Sequence, residues 1–222
     1  MAHVVQALPL RTRFRFGEQC DAHEAARVLL DTDGAVHENC DPATCLAARF
    51  RDVFLVNLQN ELLCTMPSCA FESRPPPDTT LDVALSVRPA DLQDLLDQYQ
   101  AEEFLTDDDD YKCQRCNGLV QKRLRVAPAG RAIMFQLKRF EFGQGRSGQG
   151  QKLHDKVSFP HFLPINGELF EFAAVITHAG QSANSGHYVA CVNSGQLCVC
   201  DDARVYRTDW LHVAEQQAHM LV

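Results

Sequence analysis

Helical and strand periodicities alternate along the first half of the chain. Over residues 21–31 apolar side chains recur at helical spacing behind Asp21, a residue type that caps helices well, and predict an amphipathic helix. From Leu81 to Val87 apolar and polar residues alternate, which is typical of a half-buried strand. The stretch from Leu92 to Tyr99 returns to helical spacing behind Asp91, so a second helix is predicted there.

The second half of the chain shows strand signals only. Four stretches rich in β-branched and aromatic residues, separated by Gly, Ser and Asn, are predicted strands: Ala132–Phe140, Phe170–Thr177, Tyr188–Val192 and Leu197–Cys200. The Gly-rich residues 142–151 are expected to join two strands as a flexible connection. Together with the helices of the first half, this pattern predicts an α+β fold with an antiparallel sheet.

The charge of the chain bears on its partners. The sequence contains 21 Lys and Arg against 29 Asp and Glu, which gives a formal net charge of -8. Its length of 222 residues suits one sizeable domain. Nucleic acid binding needs a basic face, so we expect no nucleic acid partner, and the acidic balance suits a basic partner. No apolar run approaches the roughly 18 residues of a membrane span, and no signal-peptide pattern opens the sequence. We therefore expect no membrane partner and a location in the cytoplasm or nucleus.

Ten cysteines are the strongest chemical signal in the sequence. In a reducing compartment they indicate metal binding, catalysis or packing rather than disulfides. Two close pairs, Cys64 with Cys69 and Cys113 with Cys116, have spacings that suit four thiolate ligands of a structural zinc ion, and Asn117-Gly118 supplies turn residues after the second pair. The alternative is that these cysteines are buried free thiols, which pack as small apolar side chains.

A histidine and two acids near the C-terminal end are candidates for catalysis. His187 begins a predicted strand and Asp201-Asp202 end the next one, so a hairpin would bring an imidazole and a carboxylate side by side. In such a pair the acid orients the histidine, and the other ring nitrogen takes a proton from a Cys or Ser nucleophile. The alternative is a His and an Asp that share a hairpin by chance, because the local sequence marks no nucleophile.

Several stretches together resemble one family, the ubiquitin-specific proteases, which are papain-like cysteine deubiquitinases. The resemblance covers the chain from about Arg13 to its end. Besides the two cysteine pairs, which resemble the family's zinc ribbon, the similar stretches are Gln19–Glu24, Leu137–Phe140, Val157–Pro160, Thr177–Gly180, Ser185–Ala190, Cys200–Val205 and Ala218–Val222. They occur in the family's order, and no single stretch carries the resemblance alone.

The resemblance implies a papain-like fold in one domain. Its helix of a partial thumb would lie at about 20–32, its fingers with the zinc ribbon at about 53–125, and its palm sheet at about 126–222. It also implies a structural zinc ion as cofactor, and ubiquitin and ubiquitinated proteins as partners.

The resemblance also implies roles for individual residues. By position, His187 would be the general base, Asp201 the acid that orients it, and Asp202 a neighbouring polar support. Asp21 and Glu24 fall where family members offer carboxylates to the arginines of the ubiquitin tail. His178 is expected to line the site, whereas His219 is expected to be an ordinary surface or strand residue.

One departure from the family pattern concerns the nucleophile. The family's Asn-x-Cys box precedes the thumb helix, and this sequence contains no such box. None of Cys20, Cys40 and Cys45 lies in a matching local sequence, so we expect no replacement nucleophile among them. We therefore expect an N-terminally incomplete catalytic domain that is inactive alone. Two functions remain open: part of a deubiquitinase that hydrolyses the bond after the C-terminal Gly of ubiquitin, or an inactive ubiquitin-binding or scaffolding pseudo-enzyme. The ligand itself is either ubiquitin or a related modifier.

Overall fold

The structure is a computed structural model that describes residues 20–30, 46–106, 111–141, 151–182 and 185–222. Within these ranges lie four helices, α1 (Ala22–Leu30), α2 (Leu46–Val53), α3 (Leu92–Tyr99) and α4 (Trp210–Ala214). The helices predicted behind Asp21 and Asp91 are confirmed as α1 and α3, whereas the sequence pattern did not predict α2 and α4. None of the described helices is long and apolar enough to cross a membrane.

Strands make up most of the described chain. In chain order they are β1 (Val56–Cys64), β2 (Glu72–Ser73), β3 (Asp78–Thr80), β4 (Val83–Ser86), β5 (Ala90–Asp91), β6 (Glu103–Leu105), β7 (Val120–Pro128), β8 (Phe135–Lys138), β9 (Phe140–Glu141), β10 (Gln151–Lys152), β11 (Val157–Ser158), β12 (Phe162–Ile165), β13 (Glu168–Glu171), β14 (Ala174–Ser182), β15 (Ser185–Asn193), β16 (Leu197–Asp201), β17 (Arg204–Arg207) and β18 (Ala218–Leu221). Together with the helices, they confirm the predicted α+β class.

Seven strands form the larger sheet, which we call the palm sheet, in the order β17-β16-β15-β14-β18-β8-β4. Neighbouring strands are antiparallel, as predicted, except that β4 pairs with β8 in parallel. The sheet and α3 bury one continuous apolar core that includes Val83, Leu85, Leu96, Leu137 and Val175. At the start of α3 the Asp91 carboxylate accepts the backbone N–H of Asp94 at 2.8 Å, as an N-cap does.

A second sheet, the finger sheet, joins β2, β1, β7 and β6 in this order, with β3 also paired to β1. Its centre is the antiparallel pair of β1 and β7, which runs from Val56 opposite Pro128 to Cys64 opposite Val120. Apolar and polar residues alternate along both strands, so one face of the pair is mainly apolar and the other carries polar and charged side chains, although most of them are only half buried. A small separate core, with Leu62 and Val120 at its centre, lies at the Cys64 end of the sheet.

Three short pairs of strands complete the fold: β5 with β11, β9 with β10, and β12 with β13. The pairing of Glu141 with Gln151 confirms that the Gly-rich segment joins two strands, although residues 142–150 themselves lie outside the described residues. The tight turn between β12 and β13 is formed by Asn166 and Gly167, whose φ angles of 51° and 84° suit an Asn-Gly pair.

Candidate active site and metal centre

His187 and Asp201 lie side by side at one end of the palm sheet. His187 is on β15 and Asp201 is the last residue of β16, the antiparallel neighbour of β15. Nε2 of His187 lies 2.5 Å from Oδ1 of Asp201, and the two side chains are 44% and 34% exposed. Asp202 follows in a turn with φ of 48°, and its carboxylate belongs to the same group of ligand atoms, all within 4.8 Å of one another. The structure thus brings together the three residues singled out in the sequence.

The electrostatics of this pair suit a general base. The hydrogen bond with Asp201 raises the pKa of His187, the negative charges of Asp202 and Asp201 raise it further, and desolvation opposes the shift. Because Nε2 is held by the carboxylate, Nδ1 is the ring nitrogen left to exchange a proton with a substrate or a nucleophile.

A catalytic triad also needs a nucleophile, and the described residues supply none to the His187 group. No described cysteine thiol belongs to the group formed by His187, Asp201 and Asp202. Cys191 is buried in the palm core, where a thiol packs as a small apolar group. Cys40 and Cys45 lie outside the described residues.

Asp21 connects three elements: α1, the strand β15 that carries His187, and β18. Its Oδ1 accepts the backbone N–H groups of His23 at 2.8 Å and Glu24 at 3.1 Å and so caps α1. Its Oδ2 accepts the Tyr188 hydroxyl at 3.3 Å and lies 3.0 Å from Nε2 of His219, an ion-pair distance without the angle of a hydrogen bond. Burial raises the pKa of the Asp21 carboxyl, but the His219 contact and the two backbone N–H groups outweigh it and lower that pKa to about 2.

Asp21 and Glu24 therefore differ in their surroundings, although they are one helical turn apart. The Asp21 carboxylate already has partners inside the protein, whereas Glu24 is exposed to solvent. His219, expected to be ordinary, is 1% exposed and helps to hold Asp21. No sequence motif marks this role of His219. Contact of Asp21 and Glu24 with a ubiquitin tail stays a prediction.

Lys152 supports the strand opposite His187 and was not identified from the sequence. It is only 5% exposed, and its Nζ donates to the carbonyl oxygens of His178 at 2.5 Å and Gly180 at 3.0 Å. These carbonyls flank Ala179, which lies directly across the β14–β15 ladder from His187. The strand pattern of β14 does not predict this contact. Lys152 follows a Gly-rich segment and belongs to a different strand pair, β9 with β10.

His178 lies on β14 directly opposite Tyr188 of β15, and its expected role in lining the site stays a prediction. It is buried, and its ring centroid is 4.7 Å from that of Tyr188 and 5.6 Å from that of Phe140. A Cβ atom on Gly186 would lie 2.2 Å from Nε2 of His178. Only a glycine fits beside the histidine at this position, directly before His187 in sequence.

A buried carboxylate also ties α1 to the palm. The side chain of Asp82, just before β4, is 2% exposed, with Oδ2 2.9 Å from Nε2 of His23 and Oδ1 3.2 Å from Nη1 of Arg27. An unpaired buried carboxylate would be costly, so His23 and Arg27 fix the position of the helix on the sheet.

The two cysteine pairs converge at the tip of the finger sheet. Sγ of Cys64 lies 3.5 Å from that of Cys116, Sγ of Cys69 lies 3.7 Å from that of Cys113, and all four lie within 4.8 Å of one another. Zn–S bonds of about 2.3 Å in a tetrahedron place sulfur atoms about 3.8 Å apart, so the four thiols fit a zinc ion. A tight turn that ends in Asn117, with φ of 58°, orients the second pair.

The electrostatics of one thiol agree with metal binding. Burial raises the pKa of the Cys113 thiol, but the backbone N–H groups of Arg115 and Cys116 outweigh it and lower that pKa to about 7. Burial and the neighbouring thiols shift the pKa of Cys69 the other way, to about 12, so Cys113 is the thiol of this pair that more readily becomes the thiolate, the form that binds metal.

The sequence of this chain is similar to those of one known protein family. The ubiquitin carboxyl-terminal hydrolase family matches residues 4–222. Ubiquitin carboxyl-terminal hydrolase 17-like protein E of Mus musculus is 32% identical over 96% of this chain and 41% of its own length. Ubiquitin carboxyl-terminal hydrolase 19 of Arabidopsis thaliana is 27% identical over 99% of this chain and 35% of its own length.

Solved structures show the same relationship. The Ubp8/Sgf11/Sus1/Sgf73 module of SAGA bound to ubiquitin aldehyde contains a chain that is 26% identical and superposes with a TM-score of 0.72 over 92% of this chain and 49% of that chain. The module bound to monoubiquitin gives 27% identity and a TM-score of 0.71 over 92% and 48% of the two chains. This chain spans less than half the length of these relatives. It belongs to the ubiquitin carboxyl-terminal hydrolase family and has the ubiquitin-specific protease fold that the sequence predicts.

Proposed function

We propose that the chain forms the part of a ubiquitin-specific protease domain that supplies the general base and its orienting acid. The reaction is hydrolysis of the peptide or isopeptide bond after the C-terminal Gly of ubiquitin. The single observation that carries this proposal is the 2.5 Å contact between His187 and Asp201. A similar chain belongs to a solved module that is bound to ubiquitin aldehyde, which supports ubiquitin as the ligand here.

In this proposal each member of the group has one task. Asp201 holds the His187 ring, Nδ1 of His187 removes the proton from a cysteine thiol, and Asp202 adds negative charge that favours the imidazolium. Members of a triad act as a unit, so a base without a positioned thiol loses most of the rate acceleration. The 222 residues alone are therefore proposed to bind ubiquitin without cleaving its conjugates.

The ubiquitin tail is proposed to lie against the start of α1. Glu24 is exposed and supplies a carboxylate for a basic side chain, while Asp21 adds charge but is also held by Tyr188 and His219. Ubiquitinated proteins in the cytoplasm or nucleus would be the substrates.

One zinc ion is proposed to close the finger tip through Cys64, Cys69, Cys113 and Cys116. The ion would supply structural stability and no catalytic step, because four protein thiolates leave no open coordination position. Its place between β1 and the turn before β7 would fix the free end of the finger sheet.

A ubiquitin-binding pseudo-enzyme is the second candidate. It is favoured by one observation, namely that no described cysteine belongs to the His187 group. Under this alternative, the palm and fingers would bind ubiquitin and the His187–Asp201 pair would have no substrate to act on.

The experiment that separates the two candidates uses ubiquitin that carries a C-terminal electrophile able to trap a cysteine. We expect no adduct with the 222-residue chain, and a covalent adduct when an upstream segment with an Asn-x-Cys box is fused to it. The adduct should form far more slowly with His187→Ala and at the normal rate with His154→Ala, a substitution of an exposed histidine. An adduct on a cysteine of the chain itself, or none with the fusion, would overturn the catalytic proposal. Normal ubiquitin binding in the latter case would favour the pseudo-enzyme.

A further inference from the structure

Strand β17 is a free edge of the palm sheet. It follows β16 through a turn formed by Asp202 and Ala203 and pairs only with β16 among the described strands. All four of its residues are exposed, and Val205 and Tyr206 are 65% and 53% exposed. Free edges with apolar residues readily add another strand, so proteins usually shorten, cover or charge them.

The register shows which backbone groups the edge offers. Thr208 donates its backbone N–H to the carbonyl of Leu197, and hydrogen-bonded pairs alternate with non-bonded pairs along an antiparallel ladder. The residues opposite Cys200 and Cys198, namely Val205 and Arg207, therefore direct their N–H and C=O groups away from β16. An extended chain laid against β17 would find these donors and acceptors in place.

Strand β17 itself carries two positive side chains and no acid, although Asp201 and Asp202 precede it in the chain. Neither Arg204 nor Arg207 has a carboxylate within ion-pair distance in the described part of the chain, although the net charge of the sequence is -8. Because they are an odd number of residues apart on a strand, the two guanidinium groups lie on opposite faces of the edge. A strand beside β17 would meet a cation on each face.

We propose that β17 docks an extended acidic segment of the protein that carries ubiquitin, by adding it as a strand to the palm sheet. Main-chain hydrogen bonds would supply affinity, and Arg204 and Arg207 would select carboxylates. A second copy of this chain is a poorer occupant, because self-pairing would gather the Arg204 and Arg207 side chains of both copies along one junction, and juxtaposed like charges disfavour a contact.

The position of β17 connects this surface to the proposed chemistry. Arg204 is paired with Asp201 across the ladder, so their side chains share one face of the sheet, and His187 lies on that face as well. A segment docked on β17 would lie two strand spacings from Asp201 and three from His187, about 10 and 14 Å, so a few further residues of the same chain would bring the lysine that carries ubiquitin to the pair. This inference rests on the proposed function for the identity of the bound protein, but the peptide site itself does not require it.

The test uses the full chain and a fluorescein-labelled synthetic peptide that mixes Glu with Val and Thr, with binding followed by anisotropy. The matched control peptide has Lys in place of Glu. Arg204→Glu with Arg207→Glu should weaken binding of the Glu peptide at least about tenfold, and Arg131→Glu, at an exposed arginine outside β17, should not. Val205→Pro removes an outward N–H without breaking the β16 ladder, and should weaken binding while the circular dichroism spectrum is retained.

Two results would overturn the docking surface: equal affinity for the Glu and Lys peptides, or unchanged affinity in both the arginine double variant and Val205→Pro. Displacement of the peptide by polyuridylate at lower concentration than by unlabelled peptide would also overturn it, in favour of a nucleic acid. Ubiquitin binding is measured on the same samples. If the β17 variants lose affinity for the peptide but keep their affinity for ubiquitin, the docking proposal is supported. If the chain binds the peptide at β17 but does not bind ubiquitin, the proposed function is contradicted while the peptide site is retained.

Discussion

Oδ2 of Asp21 lies 3.0 Å from Nε2 of His219, so the residue that caps α1 contacts the last strand of the palm sheet. The same oxygen accepts the hydroxyl of Tyr188, the neighbour of His187 on β15. One carboxylate thus holds α1 against the strand that carries the proposed base.

This arrangement predicts a loss of stability in acid. The pKa of Asp21 is lowered from 3.8 to about 2, so its ionised form stabilises the fold above the usual pKa, and this contribution is lost as the pH falls from about 4 to about 2. A shift of that size corresponds to about 2 kcal/mol. Asp21→Asn keeps a capping oxygen, so urea unfolding should find it less stable than the wild type by up to that amount at pH 7 and equal to it near pH 2.

The control for this prediction is Asp78→Asn, at an exposed aspartate of β3. Its difference from the wild type should be small and should not vary with pH. A difference between Asp21→Asn and the wild type that stays constant down to pH 2 would show that charge is not the cause.

A second prediction concerns the His187 imidazole. Because its pKa is raised by the hydrogen bond with Asp201, Asp201→Asn should lower the His187 pKa toward the usual value of 6.5, and Asp202→Asn should lower it less. The contribution of this pair to stability changes with pH in the opposite direction to that of Asp21. The pair contributes fully below the usual histidine pKa, and this contribution is lost as the pH rises through the raised value. NMR titration of the imidazole protons measures the shift, and an unchanged pKa in Asp201→Asn would contradict it.

The zinc site gives a third prediction. Purified protein should contain one zinc ion per chain by elemental analysis, and a strong chelator should lower its melting temperature. Cys113→Ser should lose most of the metal, because three thiolates and a hydroxyl bind zinc less well. Cys198→Ser, on the palm sheet, should keep it. Metal content well below one ion, or equal content in the two variants, would refute the four-cysteine site.

Lys152 gives a fourth prediction. Lys152→Met fills similar space but leaves the carbonyls of His178 and Gly180 without their charged donor, at a cost of about 2 kcal/mol in stability. These carbonyls support the strand opposite His187, so the NMR signals of that ring should broaden or shift. Lys156→Met, at an exposed lysine, should change neither quantity. A destabilised variant with unaltered His187 signals would limit Lys152 to a structural role.

The proximity of His187 to Asp201 and the convergence of the four cysteines could be predicted because each rests on local sequence. His187 and Asp201 lie near the ends of consecutive strands, where one hairpin brings them together, and the cysteine pairs have ligand spacing. The helices behind Asp21 and Asp91 were likewise predicted from caps and periodicity, and both exist.

The contacts that were missed are long-range. Nothing local to His219 or Lys152 indicates that Asp21 or the β14 carbonyls will lie beside them after folding. The strands β1 and β7 were not predicted although apolar and polar residues alternate along them, since Asn60 and Lys122 interrupt the apolar face, and the sequence resemblance alone indicated the fingers. The β12–β13 hairpin is different, since its Asn166-Gly167 turn is a strong local signal that could have located it.

The most direct test of the central claim, that this chain presents a base to the C-terminal Gly of ubiquitin, is the NMR signal of the His187 ring during addition of ubiquitin. Intact ubiquitin should shift this signal in a saturable way, whereas ubiquitin lacking its C-terminal glycines should still bind but leave the signal in place. Identical shifts with both forms, or no shift at saturating intact ubiquitin, would contradict the claim.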